Sequence, residues 1–458
     1  MDMDMEMETK KDIHKLAEEI TALLEEGQYS EVKKQVNSLH PVDVAEIIAS
    51  LDFRKQVLLF RLLNKNQAIA VFEQLDFEQQ ENLLRHFTDQ GVAKILNQMS
   101  PDDRMELFDE LPAKVVKKFL NLLEPEERNI AASMLGYPEN SAGRIMSPHI
   151  IDLKEFYTVE QALNRIRRLN PPEELAYTAY VTDAERHLLG IVTLRKLVLA
   201  SPEELVGNIM SRDFVFVSTD DDQEKVARIV QKYDLLAVPV VDREGRLVGA
   251  VTIDDIIDVI EAETTEDLHR LAAIVTTEDE YLHAPLGQKI KSRFIWLAIL
   301  LLMGTFTSFV MQSFADILQA AVALSFFIPM LTDTGGNVGS QSTTVVVREL
   351  ALGKLEGHSL WKMILSEAII GGILGVLLGI IAIARVVFLR ESLLLGLVLA
   401  ISIWIIVFVS NLIGVFLPVL FKKMKLDPAI AATPVITTIV DIVGVFTYLW
   451  IAQSFLPW

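Results

Sequence analysis

The 458-residue sequence has no cysteine, which excludes disulfides, thiolate metal sites and cysteine nucleophiles. Positive charge is scarce: 42 Lys and Arg stand against 62 Asp and Glu, a formal net charge of −20. Such a balance argues against nucleic acid as a partner and favours cations or basic partners. The first residues, MDMDMEMETKKD, show no basic stretch followed by an apolar one, so no signal peptide is expected. No HExxH-like motif and no nucleophile–base pair appears, so the chain reads as a non-enzyme. Charge of either sign is rare towards the C-terminus. Residues 292–458 hold eight acids and nine Lys or Arg, whereas the first 291 residues hold 54 acids against 33 bases. Yet the chain is 51% hydrophobic, with a mean hydropathy of +0.33. Charge and apolarity therefore belong to different parts, a soluble acidic N-terminal part and a C-terminal membrane part.

Five apolar runs suit a bilayer core, at 294–315, 319–347, 363–388, 393–420 and 430–456. The second is interrupted by Pro329 and the polar stretch TGGNVGSQ (334–341), a break tolerated at membrane depth only inside protein or beside water. With the acidic part inside, Arg293, Arg348, Lys354, Lys362, Lys422, Lys423 and Lys425 flank the cytosolic side. Only Arg385 and Arg390 lie outside, so the bias predicts an N-terminus in the cytosol and a C-terminus outside.

Acids within such runs carry information. Asp441 lies deep in the last run, and Thr433, Thr437 and Asp441 share one helical face at i, i+4 and i+8. No Lys or Arg stands near mid-span to neutralise Asp441, so the stripe reads as a cation path rather than as interhelical glue. Asp333 either lines the same path or caps a broken half-helix. Asp427, before Pro428, is expected to be the N-cap of the last span. Gly335, Gly336 and Gly339 suit close helix packing or bending. A phosphate loop would need a preceding strand and a following GK[ST].

The middle of the chain repeats. Ile145-Met146-Ser147 and Ile209-Met210-Ser211 each open a segment with a short β run, a helix (159–167; 223–232) and an apolar strand. A turn led by Asp183 or Asp242 follows, then a strand ending in Gly-x-Val-Thr at Thr193 or Thr252, then a last helix. The pattern resembles a tandem pair of CBS (cystathionine-β-synthase-type) domains, modules that in general sense ligands. The second copy is rich in acids. Asp220, Asp221, Asp222 and Glu224 begin its helix, which helix electrostatics alone explains. Asp254, Asp255, Asp258, Glu261, Glu263, Glu266 and Asp267 crowd its last helix at spacings where like charges repel. A hard divalent cation would relieve them.

The N-terminal part reads as all-helical with a 24-residue period. Leu51-Asp52-Phe53, Leu75-Asp76-Phe77, Met99-Ser100-Pro101 and Leu123-Glu124-Pro125 mark one phase. Leu39-His40-Pro41, Leu63-Asn64-Lys65, Phe87-Thr88-Asp89 and Leu111-Pro112-Ala113 mark the half-period. Two short helices of about 8–9 residues per unit would stack into a solenoid, a scaffold or docking element. The expected fold class is thus a multidomain membrane protein. It has an all-α superhelical domain (1–140), an α/β CBS pair (141–203 and 204–265), an acidic connecting helix (254–291) and a five-helix α membrane domain (292–458).

This order of parts resembles the MgtE family of magnesium channels over the whole chain. The most family-like stretches are TGGNVGSQ (334–341), Asp427-Pro428-Ala429 through Pro434, Asp441 and Gly444, and the leader YPENSAGR (137–144). The resemblance implies a homodimer in the cytoplasmic membrane, with one Mg²⁺ pore made by both copies. Asp441 would hold a largely hydrated Mg²⁺, helped by the Thr437 carbonyl and the polar face at Thr433, with Asn337 and Gln341 also in the pore. Regulatory Mg²⁺ would fall to Asp222, Glu224, Asp234, Asp255, Asp258, Glu263, Glu266 and Asp267, with Asp102 and Glu106 from the helical domain. An adenine nucleotide at the CBS pair is also compatible with the family. Two positions depart from it: Lys196 stands where an acidic regulatory ligand is expected, and Thr433 where an Asn is common. The implied activity is Mg²⁺ uptake shut by cytosolic Mg²⁺. The alternatives are a CBS-regulated transporter of another divalent cation such as Co²⁺ or Mn²⁺, and a membrane-anchored sensor without transport.

Overall fold

A computed structural model describes residues 2–272, 286–351, 355, 358–431 and 433–456. The chain divides into two compact units, Met1–Val259 and Ile260–Trp458.

The first unit opens with α1 (Asp2–Glu25) and α2 (Tyr29–Val36). Eight short helices follow: α3 (Pro41–Ser50), α4 (Phe53–Leu62), α5 (Lys65–Glu73), α6 (Phe77–His86), α7 (Asp89–Leu96), α8 (Pro101–Glu110), α9 (Ala113–Leu120) and α10 (Pro125–Met134). Their N-caps, His40, Asp52, Asn64, Asp76, Thr88, Ser100, Pro112 and Glu124, fall on every twelfth residue. The 24-residue period is therefore a helical hairpin. Asp52, Asp76, Thr88 and Ser100 each accept a hydrogen bond from the backbone N–H three residues on, satisfying a donor that the helix start leaves open. Long side chains staple successive helices at the same period. Gln80 donates to the Phe72 carbonyl (2.9 Å), Arg104 to Leu96 (2.8 Å) and Arg128 to Leu120 (2.8 Å). Each reaches back to a carbonyl in the last turn of the preceding helix, where the ladder has run out of donors. A continuous apolar core, including Ile47, Leu59, Phe72, Leu83, Leu96 and Phe108, runs through the stack.

The CBS pair continues with α11 (Ala142–Ile145), β1 (Asp152–Leu153), α12 (Val159–Leu169), β2 (Thr178–Thr182), β3 (Leu188–Thr193) and α13 (Leu194–Leu199). Its second half is α14 (Val206–Ile209), β4 (Val217–Ser218), α15 (Gln223–Tyr233), β5 (Ala237–Val241), β6 (Leu247–Thr252) and α16 (Ile253–Leu271). Each half forms a three-stranded sheet, β1-β2-β3 or β4-β5-β6, with one parallel and one antiparallel pairing. The two turns match. Asp183 Oδ1 accepts from the N–H of Glu185 and His187, and Asp242 Oδ1 from those of Glu244 and Arg246.

The two openings are exchanged between the copies. Ser147 pairs with Ala250 in the second sheet, and Ser211 with Ile191 in the first. This explains the Gly of each Gly-x-Val-Thr strand. A Cβ at Gly249 would meet Met146 Sδ at 2.7 Å, and one at Gly190 would meet Met210 Sδ at 2.9 Å. The two sequence signatures of the repeat are thus two sides of one contact.

The second unit contains α17 (Leu286–Ser313), α18 (Ala315–Ala320), a 3₁₀ stretch (Val322–Phe327), α19 (Ile328–Ala351), α20 (His358–Phe388), α21 (Leu393–Lys423), a 3₁₀ turn (Pro428–Ala431) and α22 (Thr433–Phe455). Four segments among the described residues are long and apolar enough to cross a membrane: Lys289–Ser313, Ser359–Phe388, Leu393–Lys423 and Pro434–Phe455. The fifth long helix, α19, packs on α21 and α22.

Three expectations are corrected here. The polar stretch 334–341 does not break its helix, because α19 is continuous from Ile328 to Ala351. Its glycines serve packing instead: a Cβ at Gly335 would meet Ile406 Cγ2 at 2.6 Å, and one at Gly339 would meet Ile436 Cγ2 at 2.7 Å. The helix also begins at 328 rather than 319, after a separate short helix and a 3₁₀ stretch. Asp427 caps the 3₁₀ turn rather than the last long helix, since its Oδ1 accepts from the Ala429 N–H at 2.7 Å and α22 starts only at Thr433. The expected connecting helix 254–291 is described as α16 to Leu271 and as α17 from Leu286; residues 273–285 lie outside the described residues.

Candidate functional site

The membrane unit presents one polar face. On α19, Asp333, Asn337 and Gln341 follow at i, i+4 and i+8, and all three are exposed. Asp333 lies inside the continuous helix, which rules out a half-helix cap. On the flank of this stripe α19 meets α22, where a Cβ at Gly336 would lie 3.0 Å from Thr437 Cγ2. One turn beyond Thr437 is Asp441, half-buried and near enough to Asp333 to feel its charge. Thr433 begins α22; its side chain lies outside the described residues. The Thr437 carbonyl belongs to the interior of α22, and its hydroxyl donates to the Pro434 carbonyl at 3.0 Å. Two carboxylates, two carboxamides and a hydroxyl thus gather on a surface that hydrocarbon would not tolerate. They offer oxygen donors of the kind a hard cation takes.

The first unit gathers a second set of acids. Helix α8 carries Asp102, Asp103 and Glu106, and the start of α16 carries Asp254, Asp255 and Asp258. Glu106 feels the charge of Asp258, Asp102 that of Asp254, and Asp255 that of Asp102 and Asp103. Burial raises the pKa of Asp102, Asp103, Glu106 and Asp255, and the neighbouring carboxylates raise them further. Asp103 is pushed up to about 8. Glu73, whose carboxylate accepts from the Ser100 N–H at 3.0 Å, is raised by its burial and by Asp102 and Glu174.

One oxygen of Asp102 is buried without a hydrogen-bond partner, an orphan acceptor that a cation or its bound water would satisfy. All donors in the cluster are oxygens, which suits Mg²⁺. Among the described residues, however, no three acidic or imidazole groups close into a finished coordination shell, so water would supply the remaining ligands.

The other expected regulatory acids have local partners. Asp222 is the N-cap of α15, accepting from the Glu224 N–H. Glu224 pairs with Arg228 at 3.6 Å. Asp234 holds the left-handed C-cap of the same helix, at φ +50°. Glu266 pairs with Arg270, which also pairs with Asp427. Glu263 and Asp267 lie on the same stretch of α16. Lys196 donates to the Ile209 carbonyl at 3.3 Å.

Sequence reasoning missed Asp103, Glu73 and the Arg270–Asp427 pair. Glu73 was within reach. Residue 73 lies a whole number of half-periods from Asn37 and Asn97, whose side chains accept from the backbone N–H of Asn64 and Glu124, 27 positions on, just as Glu73 does from Ser100. The Arg270–Asp427 pair spans 157 residues and had no local signal.

Comparison with known proteins extends the picture. The family described as "Divalent cation transporter" (MgtE) matches residues 328–451, the MgtE intracellular N domain matches 39–140, and CBS domains match 142–203 and 206–262. The magnesium transporter MgtE of Thermus thermophilus is 41% identical over 320 residues, covering 70% of this chain and 71% of the relative. That of Bacillus subtilis is 34% identical over 327 residues, covering 70% and 71%. Among solved structures, the cytosolic domain of the Mg²⁺ channel MgtE in complex with ATP is 35% identical, with a TM-score of 0.51, covering 53% of this chain and 99% of that one. The soluble part of a magnesium transporter is 29% identical, also with a TM-score of 0.51, covering 55% and 99%. Three family matches in the expected order, and identity above a third along most of both chains, leave one conclusion: the chain belongs to the MgtE family.

Proposed function

We propose that this chain carries Mg²⁺ into the cell across the cytoplasmic membrane and that cytosolic Mg²⁺ shuts it. The observation that carries the reading is the exposed or half-buried face formed by Asp333, Asn337, Gln341, Thr437 and Asp441 on helices that are mostly apolar. Such a face needs water, an ion or a second polar surface against it. A homodimer that sets two such faces together would supply all three, with one Asp441 from each copy holding a hydrated ion. Mg²⁺ dehydrates reluctantly, so a site with few protein ligands suits it. The names of the relatives, magnesium transporters, support the choice of ion.

The gate follows from the acidic cluster. Without a cation, Asp102, Asp103 and Glu106 on α8 repel Asp254, Asp255 and Asp258 on α16. A shared Mg²⁺ removes the repulsion and holds the two faces together. Only preferential binding to the closed arrangement allows such control. Asp222, Glu224, Asp234, Glu263, Glu266 and Asp267 would extend the response, some of them by exchanging a local ion pair for the metal. The CBS pair is the natural seat of an adenine nucleotide, a reading supported by the ATP complex of the relative. The cytosolic N-terminus and external C-terminus remain part of this proposal.

The test is Mg²⁺ flux into liposomes with internal Mg²⁺ varied. Asp441→Ala should abolish uptake in a protein that still inserts, and retained flux would remove Asp441 from the path. A second reading, transport of other divalent cations, is favoured by the broader family description, "Divalent cation transporter". Competition by Co²⁺ or Mn²⁺ in the same assay separates the two.

A further inference from the structure

The back of α19 carries an arrangement that the transport reading does not use. Opposite the exposed Asp333–Asn337–Gln341 stripe, Ser342 and Thr343 are fully buried against α21. Ser342 Oγ donates to the Asn411 carbonyl at 3.2 Å, and Thr343 Oγ1 lies 3.2 Å from the Gly414 carbonyl and 2.9 Å from that of Gly339 in its own helix. The backbones approach closely there. A Cβ at Gly414 would lie 2.7 Å from the Gly339 carbonyl oxygen and 2.8 Å from Ser342 Cβ. Asn411 is itself fixed from the far side, because its buried Nδ2 donates to the Glu367 carbonyl of α20 at 3.2 Å. Beside it, a Cβ at Gly371 would meet Nδ2 at 2.9 Å. The polar contacts therefore run from α20 through α21 to α19.

We infer that Ser342 and Thr343 are positioning residues that fix the rotation and depth of α19, and through them the cation selectivity of the Asn337–Gln341 face. Apolar packing alone would leave a helix studded with small residues free to roll. The Ser342 hydroxyl, aimed at the Asn411 carbonyl, and that of Thr343, shared between Gly414 and Gly339, give the roll a single setting. Neither hydroxyl reaches the exposed face. A contribution to selectivity from them would therefore pass through the placement of Asn337 and Gln341, one to six positions away on the same helix.

The inference rests on the transport reading, and the experiment separates the two. Full-length protein in liposomes is assayed for Mg²⁺ and Ca²⁺ flux as wild type, Ser342→Ala, Thr343→Val, Thr343→Ser and Thr344→Val. The last is a control, since Thr344 is exposed and donates only to Ser340 of its own helix. Thr343→Val and Ser342→Ala should each lower the Mg²⁺/Ca²⁺ ratio about threefold, equivalent to ~0.6 kcal/mol, the usual strength of one interhelical hydrogen bond in a bilayer. Thr343→Ser should restore the ratio and Thr344→Val should leave it alone. Unchanged ratios in the hydroxyl-free variants overturn the inference, whereas absence of ion flux in the wild type would overturn the transport reading.

A second measurement guards against variants that insert poorly. The chain has no cysteine, so Asn337→Cys is a unique reporter. Its labelling rate by a water-soluble thiol reagent should change when Ser342→Ala is added, and an identical rate in correctly inserted protein also overturns the inference.

Discussion

Helix α8 bears the acids of the proposed gate, and Arg104 holds that helix in place. The Arg104 side chain is fully buried, with Nη1 2.8 Å from the Leu96 carbonyl and Nη2 2.6 Å from Glu127. Arg104→Ala would remove both bonds, strand a half-buried carboxylate and leave a cavity, a loss on the order of 3–5 kcal/mol. Arg104→Gln should cost less. Gln80 stands at the same phase of the 24-residue period and makes the same bond, to the Phe72 carbonyl at 2.9 Å. Glutamine at 104 would keep the link to Leu96 and lose only the ion pair, ~1–2 kcal/mol for a partly exposed acid. Amide hydrogen exchange of α8 and α10 in the full-length protein reads both values as changes in local opening. The same variants should require more Mg²⁺ to shut the transporter, because Asp102 and Glu106 ride on α8. Equal exchange in Arg104→Gln and Arg104→Ala would refute the claim that the repeat position dictates the staple.

The acidic cluster predicts a pH response in chelator. An acid with a raised folded pKa favours the fold while protonated, so stability should fall as pH rises from the ordinary carboxylate range through about 8, where Asp103 ionises. Asp103→Asn should flatten that decline in chemical denaturation, and added Mg²⁺ should reverse it in the wild type; a flat profile in EDTA would count against the cluster. Neutralising Asp255, Glu263 and Asp267 together should leave flux open at high internal Mg²⁺, and unchanged gating would discard their assignment. Gly249→Ala should destabilise the CBS pair by ~1–3 kcal/mol, since its Cβ would collide with Met146 Sδ at 2.7 Å; a melting temperature within a degree of wild type would exclude the clash.

The repeats were legible because they are local. A period of 24 residues requires only that nearby residues obey the same capping rules, and the helix starts at His40, Asp52, Asn64 and onward keep that rhythm; the recurring Gly-x-Val-Thr was legible as a repeat, though the contact that needs its Gly lies in the other copy. What could not be read was contact between distant elements. The glycines of 334–341 signalled either a bend or a close approach, and only the positions of Ile406, Ile436 and Val440 decide for the latter. Asp427 before Pro428 carried a correct capping signal, but the number of residues the cap would serve depended on where α22 begins. Asp333 was ambiguous for the same reason. Once α19 is continuous, it can only be a member of a face.

The treatment of acids elsewhere in the chain sharpens the reading of the cluster. Elsewhere several acids have a base four residues on: Asp221 with Lys225, Glu224 with Arg228, Glu266 with Arg270, Glu81 with Arg85. Around Asp102, Asp103, Glu106 and Asp255 the charges that matter most are other carboxylates. The base nearest in sequence, Arg104, sits between Asp103 and Glu106 on α8 and would have been well placed to neutralise them. It is turned inward instead and committed to Leu96 and Glu127. A surface kept acidic only for solubility would not concentrate repulsion around the half-buried Asp102, Asp103 and Asp255 while directing the adjacent guanidinium elsewhere. With its nearest base committed elsewhere, the cluster suits the proposed gate, in which closure would follow the concentration of a soluble cation.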